Sequence, residues 1–557
     1  MLIELYRYVG PYLDWTMLVL ILALAWRFPL LGNRWLTGIE RFASRFASRK
    51  RLAIIVIALF VMLARVSLLP LVPVRPPGIH DEFSYLLQGD TFAHGRLTNP
   101  PHPMAFYLDT FHVLQQPTYA SMYPPAQGAV LALGELLGNP WIGVVLSMGA
   151  MFAALLWMLQ AWVPSEWALL GVTLLFFRIG VFSYWMNSYW GGAVACLGGA
   201  LVMGALPRIL KRPQVSDAIW MGLGIAILAN SRPFEGLVLC VPVSVVLVTW
   251  IWNRWHGWQT DLLRAALPLG AILICMVGFM LYYNWRVTQH PLLFPHSLDD
   301  RVHLSMSEFV WPKQPPPMHY ANPQFDAFYN HWTRNQYTHN WNDFLRITAR
   351  KFQDFQDFFL GATLTIPFVA LPWVLLDRRM RLPLLQLALY CAAAIAVVWF
   401  SPHYAAPVVG VFLVVLVQTL RHLRRWTHRG RPIGIGLTRA IVLCAASCLV
   451  FGALQTAKYP TGPLYGGWGW FGLWDRAAIE AKLEGTPGEH LVVVRYGHNE
   501  VAREWVYNNA DIDHSKVVWA RYIPGADMQP LLDYFKNRTV WLVDVGNTSA
   551  RLATYPR

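Results

Sequence analysis

The sequence predicts a polytopic α-helical membrane protein with a small α/β domain at its C-terminal end. Of the 557 residues, 55% are hydrophobic and only 14% are charged, and the mean hydropathy is +0.36. This composition excludes an ordinary soluble globular protein. Apolar runs of about 17–23 residues recur along the chain, which is the length that crosses a bilayer as a helix. The final segment, 457–557, instead alternates short strand-like and helix-like stretches.

About twelve apolar segments are long enough to be membrane spans. Adjacent short segments could instead form one re-entrant unit. The predicted spans are 12–32, 52–74, 141–162, 166–183, 191–208, 217–231, 236–252, 265–283, 360–376, 383–400, 404–420 and 438–456.

Basic residues in the short loops predict the orientation of the spans, because cytoplasmic loops carry an excess of Lys and Arg. The loop between the first two spans is rich in basic residues and is therefore placed in the cytoplasm. If the chain crosses the membrane once with each later span, all later basic clusters fall on that same side. The clusters are Arg34/Arg41/Arg45/Arg49/Lys50/Arg51, Arg208/Lys211/Arg212, Arg254/Arg264, Arg378/Arg379/Arg381 and Arg421/Arg424/Arg425/Arg429/Arg431. Both termini and three polar segments (75–140, 284–359 and 457–557) then lie on the outer face.

The net charge of +14 does not indicate a nucleic-acid partner. The basic residues are spread over short loops and form no continuous basic domain. All six cysteines lie within apolar segments, so the sequence predicts neither a disulfide framework nor a cysteine metal site.

Three regions are expected. Residues 1–51 form an N-terminal span with a basic cytoplasmic loop, 52–456 form the transmembrane core with outer loops 75–140 and 284–359, and 457–557 form the outer α/β domain. In that domain the pattern predicts three strands of a short parallel sheet and two helices. The strands are Leu491–Val494, Lys516–Trp519 and Val540–Val543, and the helices are Glu500–Tyr507 and Leu531–Phe535.

The stretch His80-Asp81-Glu82 is the main candidate for chemistry. It follows the second span and a breaker, Arg75-Pro76-Pro77-Gly78, through which a spanning helix cannot continue. Phe83, Leu86 and Leu87 at helical spacing, with Gly95 as a stop, predict a short amphipathic helix along the membrane surface. The two carboxylates would lie at its positive end, where either could act as a general base. One alternative is a solvated turn without function. A further alternative is a metal site that adds His80, His94 or His102 to the carboxylates.

A second helix is expected from Tyr123-Pro124-Pro125 to about Gly138. Between the two helices lies a proline-rich loop, 94–102, whose Arg96 is a candidate for binding substrate.

Arg232 and Glu235 lie between two apolar runs at the predicted outer interface. Arg232 can bind a phosphate because its planar guanidinium donates two parallel hydrogen bonds. A mutually paired connection between helices explains the same residues without function. Arg286 closes a later span on the same face and is a second phosphate candidate, although an aromatic belt with a snorkelling arginine accounts for it equally well.

His403 and Tyr404 lie at the outer end of a later span, where His403 can donate to a phosphate oxygen or simply occupy the interface. Most of the 27 tryptophans fit interfacial belts. Trp185, Trp190, Trp468 and Trp470 are candidates for stacking on sugar rings.

Together these motifs resemble the GT-C superfamily of membrane glycosyltransferases, in the branch of the protein O-mannosyltransferases, the lipid A aminoarabinose transferases and related family 39-like enzymes. The similarity covers roughly residues 52–420. The motifs that carry it are Asp81-Glu82, Tyr123-Pro124-Pro125 with Gln127-Gly128, Arg232-Pro233-Phe234-Glu235-Gly236, and Tyr283-Asn284-Trp285-Arg286 with Pro291-Leu292-Leu293-Phe294-Pro295.

The resemblance implies an inverting transfer of one sugar from a polyprenyl-phosphate donor to an acceptor hydroxyl on a glycan, lipid or protein. By it, Asp81 is the base, Glu82 its supporting partner, and the site lies at the outer face of a bacterial inner membrane. Many relatives carry a lysine just before the paired prolines, for the donor phosphate. In this sequence Met122-Tyr123 occupies that position, so Arg232 or Arg286 is expected to bind the donor phosphate.

No cofactor is expected, and a divalent metal is possible but not required, because lipid phosphate is already a good leaving group. The competing class is a transporter or flippase of lipid-linked sugars. It would place charged residues near the middle of several spans and show symmetry between halves. A third class, a non-catalytic membrane scaffold, predicts that the outer-face charges are dispensable.

Overall fold

The computed structural model describes residues 18–253, 259–304, 307–311, 315–338, 340–458, 472–497, 504–546 and 550–556. The predicted link Tyr459–Pro463, the residues Trp468 and Trp470, and the beginning of the first predicted span lie outside the described residues.

Helices make up the membrane part of the chain, and in the described residues each predicted apolar segment overlaps a helix, although the helix of the second segment (52–74) already ends at Val66. Their bounds are α1 Leu18–Arg27, α2 Asn33–Ser48, α3 Lys50–Val66, α4 His80–Ala93, α5 Ala105–Leu108, α6 Pro125–Leu136, α7 Pro140–Trp162, α8 Ser165–Ile179, α9 Tyr184–Asn187, α10 Ala193–Lys211, α11 Val215–Ala229, α12 Pro233–Trp252, α13 Gln259–Thr288, α14 Pro295–Asp299, α15 Pro323–Phe325, α16 Trp341–Phe355, α17 Gly361–Thr365, α18 Leu371–Leu375, α19 Arg381–Ala396, α20 Val409–Arg424 and α21 Ile433–Lys458.

Within the described ranges, seven helical stretches are long and apolar enough to cross a membrane, so the chain is a multi-pass membrane protein and the predicted count of about twelve is not confirmed. They are Pro140–Trp162, Ala193–Lys211, Pro233–Trp252, Leu263–Thr288, Trp341–Leu375, Pro402–Arg424 and Ile433–Lys458. The stretch ending in α20 is central, with 94% of its apolar window buried, whereas that of α13 is 6% buried and faces outward.

The first polar segment (75–140) folds against the membrane part rather than extending from it. Gly95 (φ +71) follows α4, and Gly138 (φ +104) follows α6, as the predicted stops require. Between them β1 (Val113–Leu114) and β2 (Ala120–Ser121) form an antiparallel pair. The predicted helix after His80 is therefore confirmed, and its position along the membrane surface stays a prediction. Both of its faces are buried, because α6 covers one and the C-terminal unit covers the other.

The C-terminal unit (472–556) contains a four-stranded sheet of order β4-β3-β5-β6, in which the first three strands are parallel and β6 is an antiparallel edge. Its elements are α22 Trp474–Glu484, β3 His490–Tyr496, β4 Val517–Arg521, α23 Gln529–Tyr534, β5 Thr539–Val545 and β6 Ala550–Thr554. The three predicted strands and the helix at 531–535 are confirmed.

The predicted helix Glu500–Tyr507 is wrong over its described part, 504–507, which is irregular. The carboxylate of Glu504 accepts hydrogen bonds from the backbone N–H groups of Trp505 (2.9 Å) and Val506 (2.8 Å). It also pairs with the fully buried Arg521 at 2.5 Å. These hydrogen bonds take the place of the backbone bonds of a helix, because an acidic side chain can bond to the backbone N–H groups next to it.

The hydrophobic core of the C-terminal unit continues into α4. Phe83 and Leu87 belong to the same buried cluster as Val492, Val518 and the other inward residues of the sheet. The ring of Tyr507 stacks on Phe83 with a centroid distance of 4.3 Å and an interplanar angle of 2°. The far end of α4 is also attached, because the N–H of Ala510 donates to Asp90 Oδ2 at 2.7 Å. The C-terminal unit therefore fixes the helix that begins at His80.

Candidate active site

Glu82 organises the start of α4. One carboxylate oxygen accepts hydrogen bonds from the N–H groups of Gly78 (2.7 Å) and Ile79 (3.2 Å), as the third residue of a capping box does. The other accepts the N–H of Tyr189 at 3.0 Å, from the loop between α9 and α10. Burial raises the pKa of Glu82 to about 7, despite these three bonds. Glu82 thus joins two segments that are far apart in sequence.

Asp81 points the other way, toward aromatic and imidazole groups, and 17% of its side chain is exposed. Its Oδ1 accepts a short hydrogen bond from the hydroxyl of Tyr123, and its Oδ2 lies 3.2 Å from Nδ1 of His80. Burial alone would raise the pKa of Asp81, but the imidazoles of His80 and His112 and the Tyr123 hydroxyl hold it well below its usual range. Asp81 is therefore a carboxylate at neutral pH.

A small cavity, with about 20 Å³ open to the centres of water molecules, lies next to this group. The first turn of α10 and the residues before α12 open onto it, so two helix N-termini point at one space. It is lined by Tyr85, Pro124, Gln127, Trp190, Gly191, Gly192, Val194, Ala195, Ser231, Arg232 and His403.

Two glycines let backbone form one wall of the cavity. A Cβ on Gly191 would lie 2.7 Å from Cα of Trp185, and one on Gly192 would lie 2.3 Å from Cζ2 of the same residue. Trp185 is fully buried and cannot move aside. Only glycine permits this approach at both positions, so the two residues just before α10 line the cavity without side chains.

Arg232 supplies the positive charge of the cavity. Its guanidinium carbon lies 4.0 Å from the ring centre of Tyr404. The carboxylate of Glu235, one turn into α12, is close enough to stabilise that charge. The Arg232 side chain also hydrogen-bonds with Tyr404 and lines the cavity, where a guanidinium can donate to a phosphate.

His403 forms part of the opposite wall and is 2% exposed. Its Nδ1 lies 2.9 Å from the hydroxyl of Tyr184, which also accepts the His403 backbone N–H at 3.1 Å. The ring lies 4.6 Å from Trp190. These contacts fix the imidazole.

Tyr123 and Tyr85 connect Asp81 with the cavity. Their rings stack at 4.3 Å and 18°, and Tyr85 lines the cavity while Tyr123 donates to Asp81. The charges of both Asp81 and Arg232 act on the Tyr85 hydroxyl. The acid and the arginine thus belong to one site.

Not every predicted residue lies there. Arg286 is exposed on α13 and donates to the hydroxyl of Tyr282 at 3.2 Å. Arg96 lies beyond the end of α4, where its charge acts on His94 and Asp511. Of the predicted residues, Arg232 and His403 line the cavity, and the charges of Arg232, Asp81 and Glu235 all act on the hydroxyl of Tyr404. Tyr123 and Glu82 adjoin Asp81, whereas Arg286 and Arg96 are not part of this cluster.

Of the tryptophans named as possible sugar platforms, Trp190 lines the cavity and Trp185 is buried behind it. Sequence reasoning did not select Tyr85 or His112. A signal existed for Tyr85, which is one helical turn after Asp81 and therefore on the same face of α4.

The set His80, Asp81 and His112 could also hold a metal ion, since one ligand atom from each lies within 4.8 Å of the others. Burial lowers the pKa of His112 to about 4, which keeps its imidazole neutral, as a ligand must be. Such an ion would polarise a substrate oxygen. The expectation that no metal is required stays a prediction.

Comparisons with known proteins give similarity at the level of structure. No protein-family model matches the sequence, and no curated protein matches it. Among solved structures, the chain is similar to ArnT from Cupriavidus metallidurans in the apo state, with 14% identity, a TM-score of 0.45, and coverage of 88% of this chain and 93% of that one. The same protein bound to undecaprenyl phosphate gives 14% identity, a TM-score of 0.46, and coverage of 89% and 93%.

The archaeal oligosaccharyltransferase AglB from Archaeoglobus fulgidus, in complex with an inhibitory peptide and a dolichol-phosphate, is also similar. Its identity is 11% and its TM-score 0.43, with coverage of 90% of this chain and 70% of that one. At these values the similarity concerns the overall course of the chain, and no residue role is taken from it.

Proposed function

We propose that the protein is an inverting glycosyltransferase that moves one sugar from a polyprenyl-phosphate donor to an acceptor hydroxyl. The observation that carries the proposal is an ionised Asp81 bonded to Tyr123, which stacks on Tyr85 in the wall of the same cavity that Arg232 lines. An acid that accepts a proton and a cation that receives a phosphate are the two groups that such a displacement needs.

In the proposed reaction the acceptor oxygen forms a bond to the anomeric carbon while the bond from that carbon to the phosphate oxygen breaks. The hydroxyl proton passes to Asp81, and the lipid phosphate leaves with the bonding electrons beside Arg232. Because Asp81 is a weak base, it takes the proton late, when positive charge on the anomeric carbon has made the hydroxyl acidic. Tyr123 holds Asp81 in position through its hydrogen bond.

The two helix N-termini at the cavity add partial positive charge to the side where the phosphate would lie. His403 is a further donor for a phosphate oxygen. Trp190 offers an aromatic face to the sugar, as aromatic rings in sugar sites do. We place this site on the outer face of a bacterial inner membrane, where the acceptor is a glycan, lipid or protein. The basic clusters in the opposite loops favour that orientation.

The test uses purified protein, or membranes that contain it, with a radiolabelled polyprenyl-phosphate sugar. Wild-type protein is expected to release polyprenyl phosphate and to form a new covalent glycan, and Asp81→Asn is expected to do neither at a comparable rate. Movement of the intact lipid-linked sugar across the bilayer without a new glycan would instead support a transporter. Full transfer by Asp81→Asn would refute the assignment of the base.

A further inference from the structure

Helix α2 (Asn33–Ser48), which the sequence indicated only as a basic loop, has three distinct faces. One face packs on the protein, where Ala47 is buried and Ala43 and Phe46 contact the main core. The other two faces are exposed and differ in chemistry, one apolar and one basic. A helix with this pattern is typical of the membrane–water interface.

The packed face is fixed by Glu40. Its carboxylate accepts hydrogen bonds from Arg424 Nη2 (3.0 and 2.9 Å), at the end of α20, and from Arg439 Nε (2.9 Å) and Nη2 (3.0 Å), in α21. A bidentate pair from Arg439 and a bifurcated contact from Arg424 Nη2 on one carboxylate hold α2 in a single orientation against the bundle. The direction of its exposed faces is therefore defined.

The apolar face consists of Trp35, Ile39 and Phe42, whose exposed fractions are 81%, 64% and 74%. At about 100° per residue these side chains fall within an arc of roughly 60°. The helices on either side in sequence, α1 and α3, also expose apolar side chains such as Leu24 and Ile55. A bilayer must cover those surfaces, so it also reaches the apolar face of α2.

The basic face consists of Arg34, Arg41 and Arg45, all exposed, and lies about 100° around the helix from the apolar face. Within the described ranges none of the three pairs with a carboxylate, and Glu40, the one acid between residues 33 and 51, is already shared by two arginines. Three further cations, at positions 49–51, continue the charge to the start of α3.

We propose that α2 lies in the plane of the membrane interface and binds anionic phospholipid headgroups through Arg34, Arg41 and Arg45. The apolar face enters the upper acyl region, and the guanidinium groups reach the phosphates. Lipid is favoured over a protein partner because the apolar face joins surfaces that lipid already covers. Guanidinium forks match phosphate oxygens, and each basic residue strengthens attraction to an anionic leaflet.

This site is separate from the cavity with Arg232. The stretch Pro402–Arg424 has 23 residues and runs from His403 at the cavity to Arg424 at α2. At the rise of a helix this is more than about 30 Å. Lipid binding at α2 therefore does not depend on the proposed glycosyl transfer, and either can fail without the other.

The experiment compares the full-length protein with a triple variant, Arg34→Gln, Arg41→Gln and Arg45→Gln. The control triple, Arg378→Gln, Arg379→Gln and Arg381→Gln, removes the same charge from exposed arginines beside α18 and α19. Binding of phosphatidylglycerol and phosphatidylcholine is measured by native mass spectrometry of the detergent-purified protein. We expect the wild type to prefer phosphatidylglycerol, and the α2 triple to lose about fivefold in affinity per arginine, while the control keeps the preference.

An equal loss of affinity for phosphatidylglycerol in both triple variants would show that only net charge matters and would overturn the proposal. No loss of affinity in either variant would overturn it as well. A second measurement uses the wild type alone, with a photoactivatable phosphatidylglycerol in nanodiscs. The crosslinked peptide should map to residues 33–51. Mapping to another segment would overturn the site even if the α2 variant does not fold.

Discussion

Replacement of Arg232 by Gln removes the one charge that the cavity offers to a phosphate. A phosphate charge at about 4 Å from the guanidinium interacts with it by about 4 kcal/mol at an effective dielectric constant near 20. Only the part that grows as the leaving group separates lowers the barrier, so we expect a loss of about 10²–10³ in kcat/KM. Arg232→Lys keeps the positive charge but loses the planar pair of hydrogen-bond donors. Its kcat/KM should therefore lie between those of the wild type and Arg232→Gln.

The matched control is Arg286→Gln. Both arginines were candidates from the sequence, but Arg286 is exposed and contacts Tyr282 through its hydroxyl and its ring. The Arg286→Gln substitution should change the rate of transfer by less than about twofold, as substitutions of exposed residues away from a site do. The assay follows release of polyprenyl phosphate from a radiolabelled donor in native membranes, normalised to folded protein. Equal losses for Arg232→Gln and Arg286→Gln, or none for Arg232→Gln, would refute the assignment of the phosphate site.

Further predictions concern the acid, the pH response, the cavity wall and the C-terminal unit. Asp81→Asn should lower the rate of sugar transfer by about 10²–10⁴-fold, measured in the same donor-release assay. The raised pKa of Glu82 means that the folded protein binds a proton which the unfolded chain releases, so its stability contribution falls as pH rises from the unfolded value toward about 7. Glu82→Gln should remove this dependence of the melting temperature, and an unchanged pH profile would contradict the shift. Gly192→Ala should cost about 1–3 kcal/mol because its Cβ meets Trp185, and should shift the melting temperature down. Tyr507→Leu should lower kcat per folded protein through loss of its stack on α4, whereas Tyr507→Phe keeps the stack and the rate, and equal effects of the two would exclude positioning by the ring.

Local signals predicted the elements of the first polar segment well. As predicted, α4 begins at His80 after the paired prolines, and glycines with positive φ follow α4 and α6. The helix of the second span, however, already ends at Val66 and not at the prolines. The strands of the C-terminal unit were found because fully buried parallel strands are continuous apolar runs. The edge strand Ala550–Thr554 was missed because it is short, polar and partly exposed.

The site was predicted only in part. Asp81 and Arg232 could be named because a carboxylate or guanidinium at a span end is costly without a role or a partner. Arg286 was misplaced because α13 is apolar around most of its circumference, and such a pattern does not reveal which face turns outward. The bond from Tyr189 to Glu82 joins residues 107 positions apart through a backbone N–H, which no side-chain pattern encodes.

The buried cluster that contains both Phe83 and the strands of the C-terminal unit has a practical consequence for engineering acceptor specificity. Cutting the chain after α21 would expose the aromatic flank of α4 and leave Asp90 without the N–H of Ala510. A chimera that exchanges the C-terminal unit between homologous enzymes would therefore have to exchange the matching flank of α4 as well. A transplant confined to 472–556 would place mismatched side chains two positions from Asp81, and loss of turnover would then say nothing about the acceptor.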